Sequence, residues 1–124
     1  MASPKTIFVV DDDPSMLKGV ERILKHSGFN SQLFDSADDF HSRARLQDAA
    51  CLVLDIDLAG KSGIELSREV ATSGFPVPVI FITGKDSDRT RKAAFEAGCI
   101  AYFGKPFEAK SLMAAIEKAI AHTK

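Results

Sequence analysis

Cysteine is scarce in this chain. Its 124 residues hold two, Cys51 and Cys99. Neither belongs to a Cys-x-x-Cys pair or to a Cys/His ligand spacing, which argues against a disulfide framework and a thiolate metal centre. Both read as small buried thiols of a reducing cytoplasm. An excess of charge of either sign is also missing: 16 basic residues face 17 acidic ones, for a net charge of −1. That balance excludes a global pull toward nucleic acid or an anionic membrane, so any electrostatic function must be local. No apolar run approaches the roughly 20 residues that cross a bilayer. The first residues, Met1 to Thr6, hold no apolar core of an export signal, so neither export nor membrane insertion is expected. His26, His41 and His122 are isolated from one another and lack any ligand or triad spacing. Internal repeats, linkers and low-complexity tracts are absent.

What the chain does have is a 45% hydrophobic fraction over a length that suits one domain, residues 1–124, with a single substantial core. The stretch Leu52-Val53-Leu54-Asp55-Ile56-Asp57 organises it. Consecutive apolar residues without polar alternation describe a strand covered on both faces, and this one runs into carboxylates. Ile7-Phe8-Val9-Val10 does the same, ending in Asp11-Asp12-Asp13 before Pro14. Asp13 ahead of proline reads as a helix N-cap, which leaves Asp11 and Asp12 without a structural task. The helix from about 14 to 27 turns Met16, Val20, Ile23 and Leu24 inward and stops at Gly28.

Residues 30–34 form a short strand suited to a sheet edge. Ser36 with Asp39 reads as a capping box for a helix carrying Ala37, Phe40 and Ala44, and Ser62 with Glu65 as another for a helix ending near Gly74. Residues 77–82 are a further buried strand finishing at Thr83-Gly84. A helix follows with Thr90, Ala93, Ala94 and Ala97 at helical spacing. Residues 100–103 make the last strand, and a final helix turns Leu112, Ala115, Ile116 and Ala119 inward. Five near-continuous apolar strands alternating with five helices predict an α/β fold: a (βα)5 doubly wound parallel sheet with helices on both faces.

In such sheets ligands bind beyond the carboxyl ends of the strands. Those ends carry Asp11 and Asp12, Asp55, Thr83 and, just past the last strand, Lys105. Converging carboxylates raise one another's pKa values, so something positive must hold them together. Mg²⁺ suits a set of hard oxygen donors, and it commonly sits beside phosphate. Lys105 adds a movable point charge and Thr83 a hydroxyl, a combination suited to a phosphoryl group.

At this point the sequence resembles the receiver domain of two-component response regulators, over essentially its whole length. The matching features are Val9-Val10-Asp11-Asp12-Asp13, Leu54-Asp55 followed by Gly63, Ile82-Thr83-Gly84, and Tyr102 ahead of Lys105-Pro106-Phe107. The resemblance implies a flavodoxin-like sheet of order 2-1-3-4-5. It implies that Asp55 accepts a phosphoryl group from a histidine of a sensor kinase or phosphotransfer protein. Asp11 and Asp12 would hold Mg²⁺ beside Asp55, with the backbone carbonyl of Asp57 as a further ligand, and Lys105 and Thr83 would contact the phosphoryl oxygens. Thr83 and Tyr102 would be the switch that alters the surface of the fourth helix, fifth strand and fifth helix, for a downstream protein or a second copy. A cis bond at Lys105-Pro106 is implied as well.

One position departs from the family pattern: Ala59 stands where proline is usual, followed by Gly60, which points to a less rigid loop. Asp57 and Lys85 should flank the mouth of the pocket, where an ion pair between them would modulate access of water. Lys85, Arg89, Arg91 and Lys92 form a basic fourth-helix surface, read as a solvated face. Two other readings compete. Asp55-Ile56-Asp57 also resembles the acid motif of haloacid-dehalogenase-type phosphatases, which would make the chain an enzyme rather than a self-phosphorylating signalling domain. The chain would otherwise be the receiver of a DNA-binding transcription regulator, although nothing after the fifth helix forms a helix-turn-helix, so no direct nucleic-acid contact is expected of these residues.

Overall fold

A computed structural model describes residues 6–121. Part of the Met1–Thr6 stretch and all of His122 lie outside the described residues. The two apolar runs that end in acids become the central strands, β1 (Thr6–Val10) and β3 (Ala49–Asp55). Outside them lie β2 (Asn30–Phe34), β4 (Val79–Thr83) and β5 (Ala101–Gly104). Every pairing is parallel and the order is β2-β1-β3-β4-β5, so the weakly patterned β2 is an edge strand as its sequence indicated. Five helices connect them: α1 (Pro14–His26), α2 (Ala37–Arg43), α3 (Gly63–Ala71), α4 (Asp88–Glu96) and α5 (Ala109–Ala121).

Strand residues alternate between two cores. Ile7, Val9, Cys51, Val53, Ile80 and Ile82 pack with Leu17, Val20 and Leu24 of α1 and Leu112, Ile116 and Ala119 of α5. Phe8, Val10, Leu52, Leu54 and Phe81 face the other way, against Phe40 of α2, Leu66 and Val70 of α3, and Ala94 of α4. Burying a side chain of this size contributes about 1.5–3 kcal/mol, and both faces of the central strands take part. The layers therefore fix β1 and β3 firmly, and with them the acids at their ends.

Several details differ from the sequence reading. In α1 the buried stripe is Leu17, Val20 and Leu24, at i, i+3 and i+7, while Met16 and Ile23 flank it half-buried. Strand β4 starts at Val79, two residues late, because Pro78 has no N–H for the ladder; its carbonyl still accepts from Leu52 N at 2.9 Å. β5 is Ala101–Gly104, which leaves Ile100 exposed. Of the four positions read onto the fourth helix only Ala94 is buried, and Ala97 lies just past the end of α4, as Ala44 does past the end of α2. Ser62 and Glu65 form the reciprocal capping box. The Ser36 box is half made: its hydroxyl accepts from Asp39 N, but Asp39 accepts from Asp35 N and from Arg43, the shorter acid side chain being drawn to the guanidinium. Cys51 lies inside β3, where burial pushes its thiol up to about 12, whereas Cys99 is half-buried rather than enclosed. No helix among the described residues is long and apolar enough to cross a membrane.

Candidate functional site

Register decides where the acids meet. Val9 pairs with Val53 and Val10 with Leu54, so the next residues along, Asp11 and Asp55, leave the sheet side by side. They share the side of the sheet that Ile7, Val9, Cys51 and Val53 occupy. Both carboxylates are buried, at 0% and 2% exposure, and neither lacks partners. Asp11 Oδ1 accepts from Asp13 N at 2.9 Å and Asp55 Oδ1 from Asp57 N at 3.0 Å. Their remaining oxygens meet one ammonium: Lys105 Nζ donates to Asp11 Oδ2 at 3.0 Å and to Asp55 Oδ2 at 3.4 Å.

Lys105 reaches them because β5 delivers it. Thr83 pairs with Gly104, the Lys105 amide donates to the Thr83 carbonyl at 2.7 Å, and the Lys105–Pro106 bond is cis. Burial pushes the Asp55 carboxyl up to about 6; the Asp57 amide pulls against that, the Asp11 charge reinforces it, and Lys105 opposes it. Burial works against the charge of Lys105 itself, but the two carboxylates outweigh it and its pKa is raised. Asp12 is exposed, yet it offers an oxygen that lies, with one each from Asp11 and Asp55, in a group spanning no more than 4.8 Å. Asp12 has no hydrogen bond or ion pair among the described residues.

The loop after Asp55 is pinned from two directions. Ile56 and Leu58 are buried on either side of exposed Asp57, which anchors the loop ahead of Ala59, and Gly60 turns it with φ +84°. Gly63, the first residue of α3, lies against the loop's other side. A Cβ there would come 2.3 Å from the Asp55 carbonyl oxygen, so only glycine permits this approach.

Thr83, at the end of β4, belongs to the opposite side of the sheet, following Val79 and Phe81. Its hydroxyl donates to Asp57 Oδ2 at 2.7 Å, an oxygen that also accepts from Gly84 N at 3.1 Å. The Lys85 amide in turn donates to Thr83 Oγ1 at 3.0 Å. The expected Asp57–Lys85 ion pair is therefore absent among the described residues. Its acid is taken by a hydroxyl and a backbone amide already in place, which cost less ordering than a long lysine side chain.

Tyr102 is half-buried on β5, and its hydroxyl donates to Asp86 Oδ1 at 2.9 Å. Arg91 holds the other Asp86 oxygen at 2.8 Å and lies 5.5 Å above the tyrosine ring, so one member of the basic α4 set is paired rather than free. Burial, followed by the Asp86 contact, pushes the Tyr102 phenol up to about 12.

The structure thus brings Asp11, Asp12, Asp55 and Lys105 together, places Thr83 beside Asp57 and sets Tyr102 apart on Asp86. The roles of the Asp57 carboxylate and of Asp86 escaped the sequence reading. Asp57 and Thr83 are 26 residues apart and Asp86 and Tyr102 16 apart, and no local pattern announces either contact.

Comparison with known proteins follows the same line. Residues 7–117 match the family model described as response regulator receiver domain. The response regulator protein TmoT of Ectopseudomonas mendocina is 32% identical over 114 residues, covering 92% of this chain and 52% of its own length. The transcriptional regulatory protein FixJ of Bradyrhizobium diazoefficiens is 32% identical over 120 residues, 97% of this chain and 58% of its own. The chain thus spans about half the length of these curated relatives. Among solved structures, the response regulator StyR superposes with a TM-score of 0.84 at 38% identity, over 98% of this chain and 61% of that one. With an acid pair, a strand-end aspartate and a cis-linked lysine on a flavodoxin-like sheet, and a family match over most of its length, the chain belongs to the receiver domains of two-component response regulators.

Proposed function

We propose that Asp55 is a phosphoacceptor, taking a phosphoryl group from a histidine of a sensor kinase or phosphotransfer protein. The observation that carries this reading is the Lys105 ammonium held between Asp11 and Asp55 on a rim that also bears Asp12. An Asp55 oxygen forms the bond to phosphorus while the P–N bond to the donor imidazole breaks, its electron pair returning to the ring nitrogen. Both partners are negative, so the barrier is mainly electrostatic and positional. Lys105, which donates to Asp55 Oδ2, would donate to the phosphoryl oxygens, and the Asp57 amide holds the attacking carboxylate.

The donor set fits Mg²⁺: clustered carboxylate oxygens, one of them on an uncommitted, exposed aspartate, with no histidine or thiolate among them. Asp11, Asp12, Asp55 and the backbone carbonyl of Asp57 would hold the ion. When bound, it neutralises charge on the carboxylates and the phosphoryl oxygens.

Phosphorylation replaces a carboxylate by an acyl phosphate about one charge more negative. In this reading the Thr83 hydroxyl then moves to the phosphoryl group, Tyr102 follows, and the α4-β5-α5 surface changes for a downstream protein or a second copy. The domain catalyses only its own phosphorylation and dephosphorylation, and it works in the cytoplasm without a membrane contact. These residues touch no nucleic acid, but relatives covered over only 51–58% of their length are named transcriptional regulatory proteins. In a longer protein of that kind the receiver would govern a DNA-binding segment, so the expectation of no nucleic acid stops at this domain.

Incubation with a small phosphodonor, with and without Mg²⁺, followed by intact mass, tests the reading. The expected result is a single Mg²⁺-dependent phosphoryl addition that Asp55→Asn abolishes. Steady turnover of a generic phosphate ester would favour the phosphatase reading instead.

A further inference from the structure

Thr83 has one hydroxyl proton, and in this structure that proton is committed. The hydroxyl donates to Asp57 Oδ2 at 2.7 Å, while its oxygen accepts from the Lys85 amide at 3.0 Å. Among the described residues no hydrogen bond joins Thr83 to Asp55. The same Asp57 oxygen also takes the Gly84 amide at 3.1 Å, so one carboxylate grips both the last residue of β4 and the first residue of the loop after it. A hydroxyl donates one hydrogen bond at a time. Any ligand at Asp55 that needs the Thr83 proton must therefore take it from Asp57.

We infer that the Asp57 carboxylate is a positioning residue for the switch, an internal competitor that holds Thr83 and Gly84 in the resting arrangement and sets how strongly a phosphoryl group must pull to turn them. The inference rests on the phosphoacceptor reading of Asp55 and deepens it. It assigns the Asp57 side chain a task separate from the backbone carbonyl proposed for the metal. It also explains why an exposed acid stands at this rim without a cationic partner: its partners are a hydroxyl and an amide of the neighbouring strand end. A hydrogen bond to a carboxylate is roughly twice as strong as one to a neutral acceptor, so the amide analogue should hold Thr83 less firmly and alanine not at all.

Beryllofluoride, a phosphoryl mimic, tests this when its affinity in excess Mg²⁺ is measured by fluorine NMR for wild type and variants. Asp57→Ala should bind it about tenfold more tightly, a factor equivalent to about 1.4 kcal/mol. Asp57→Asn keeps the acceptor oxygen, and its gain should stay within about threefold, because a neutral bond to Thr83 survives. In a Thr83→Ala background, Asp57→Ala should change affinity by less than about twofold, since there is no hydroxyl left to release.

A simple charge effect predicts otherwise. Equal gains in Asp57→Ala and Asp57→Asn, persisting when Thr83 is removed, would overturn the inference while leaving Asp55 as the acceptor. Failure of wild type to bind beryllofluoride with Mg²⁺ present would overturn the phosphoacceptor reading, and the inference with it.

Discussion

Replacing Gly63 by alanine puts a single methyl group against the backbone of Asp55. The added Cβ would sit 2.3 Å from the Asp55 carbonyl oxygen, 2.9 Å from its carbonyl carbon and 3.1 Å from Ile56 Cα. Because the obstacle is main chain, no side-chain rotation relieves it. To reach even 3.0 Å from that oxygen, the start of α3 or the end of β3 must retreat by at least 0.7 Å. The Gly63 amide donates to the Ile56 carbonyl at 3.1 Å, so the retreat also stretches a bond that closes the loop. Overpacking of this kind costs about 1–3 kcal/mol.

Alanine recovers part of that through helix propensity, at most about 1 kcal/mol and less at the first helical position. The net expectation is a loss of about 1–2 kcal/mol, read by urea denaturation with the slope held equal to that of wild type. Gly19→Ala is the control. It lies in the middle of α1 with nothing within 4 Å of the new methyl, and it should gain about 0.5–1 kcal/mol. Phosphorylation from a small donor should slow in Gly63→Ala and stay at the wild-type rate in Gly19→Ala. If Gly63→Ala is as stable as the control and phosphorylates at the wild-type rate, the close approach of α3 to the end of β3 is wrong.

Other consequences can be measured directly. Asp55 holds its proton up to about pH 6 in the fold but only to the ordinary carboxylate range when unfolded, so without metal its contribution to stability falls as pH rises through that window. Asp55→Asn should therefore overtake metal-free wild type as pH climbs from 4 to 7, by up to about 3 kcal/mol at the plateau, and a difference that stays flat in urea titrations would contradict the assignment. Mg²⁺ at about a hundred times its dissociation constant should add about 2.7 kcal/mol to wild type, seen as a higher melting temperature. Asp12→Ala should lose most of that gain while its metal-free stability stays within about 0.5 kcal/mol of wild type, because Asp12 is exposed. With one tyrosine and no tryptophan in the chain, alkaline absorbance reports Tyr102 alone. Its ionisation should fall near pH 12 and return toward 10 in Asp86→Asn; an unchanged midpoint would remove the Asp86 contact from the account.

Much of this was legible in the chain itself, for reasons that are physical. Unbroken runs such as Ile7–Val10 and Leu52–Leu54 have one reading as strands covered on both faces, and a parallel sheet lines up their ends. Once two such runs each finish in aspartate, a common rim follows, and register brings Asp11 beside Asp55. Lys105 was legible as a strand-end cation, and its bridge to both acids is the geometry that such an ending allows. Contacts across strand ends were not legible. Charge pointed Asp57 to Lys85, and no local pattern offered Thr83 as its partner. The structure chose the hydroxyl, because Thr83 and the Gly84 amide are held in place by β4. Offsets of one or two residues, in the buried stripe of α1 or the start of β4, arose where packing or a missing N–H outweighed periodicity.

The central claim is that Asp55, and no other acid on the rim, carries the phosphoryl group. Borohydride reduces an aspartyl phosphate to homoserine, so treating the phosphorylated chain with it and sequencing the peptides by mass marks the acceptor. The account predicts homoserine at position 55 alone, and only when Mg²⁺ was present during phosphorylation. Homoserine at Asp11, Asp12 or Asp57, or at no position in a chain whose mass shows a phosphoryl group, would contradict it.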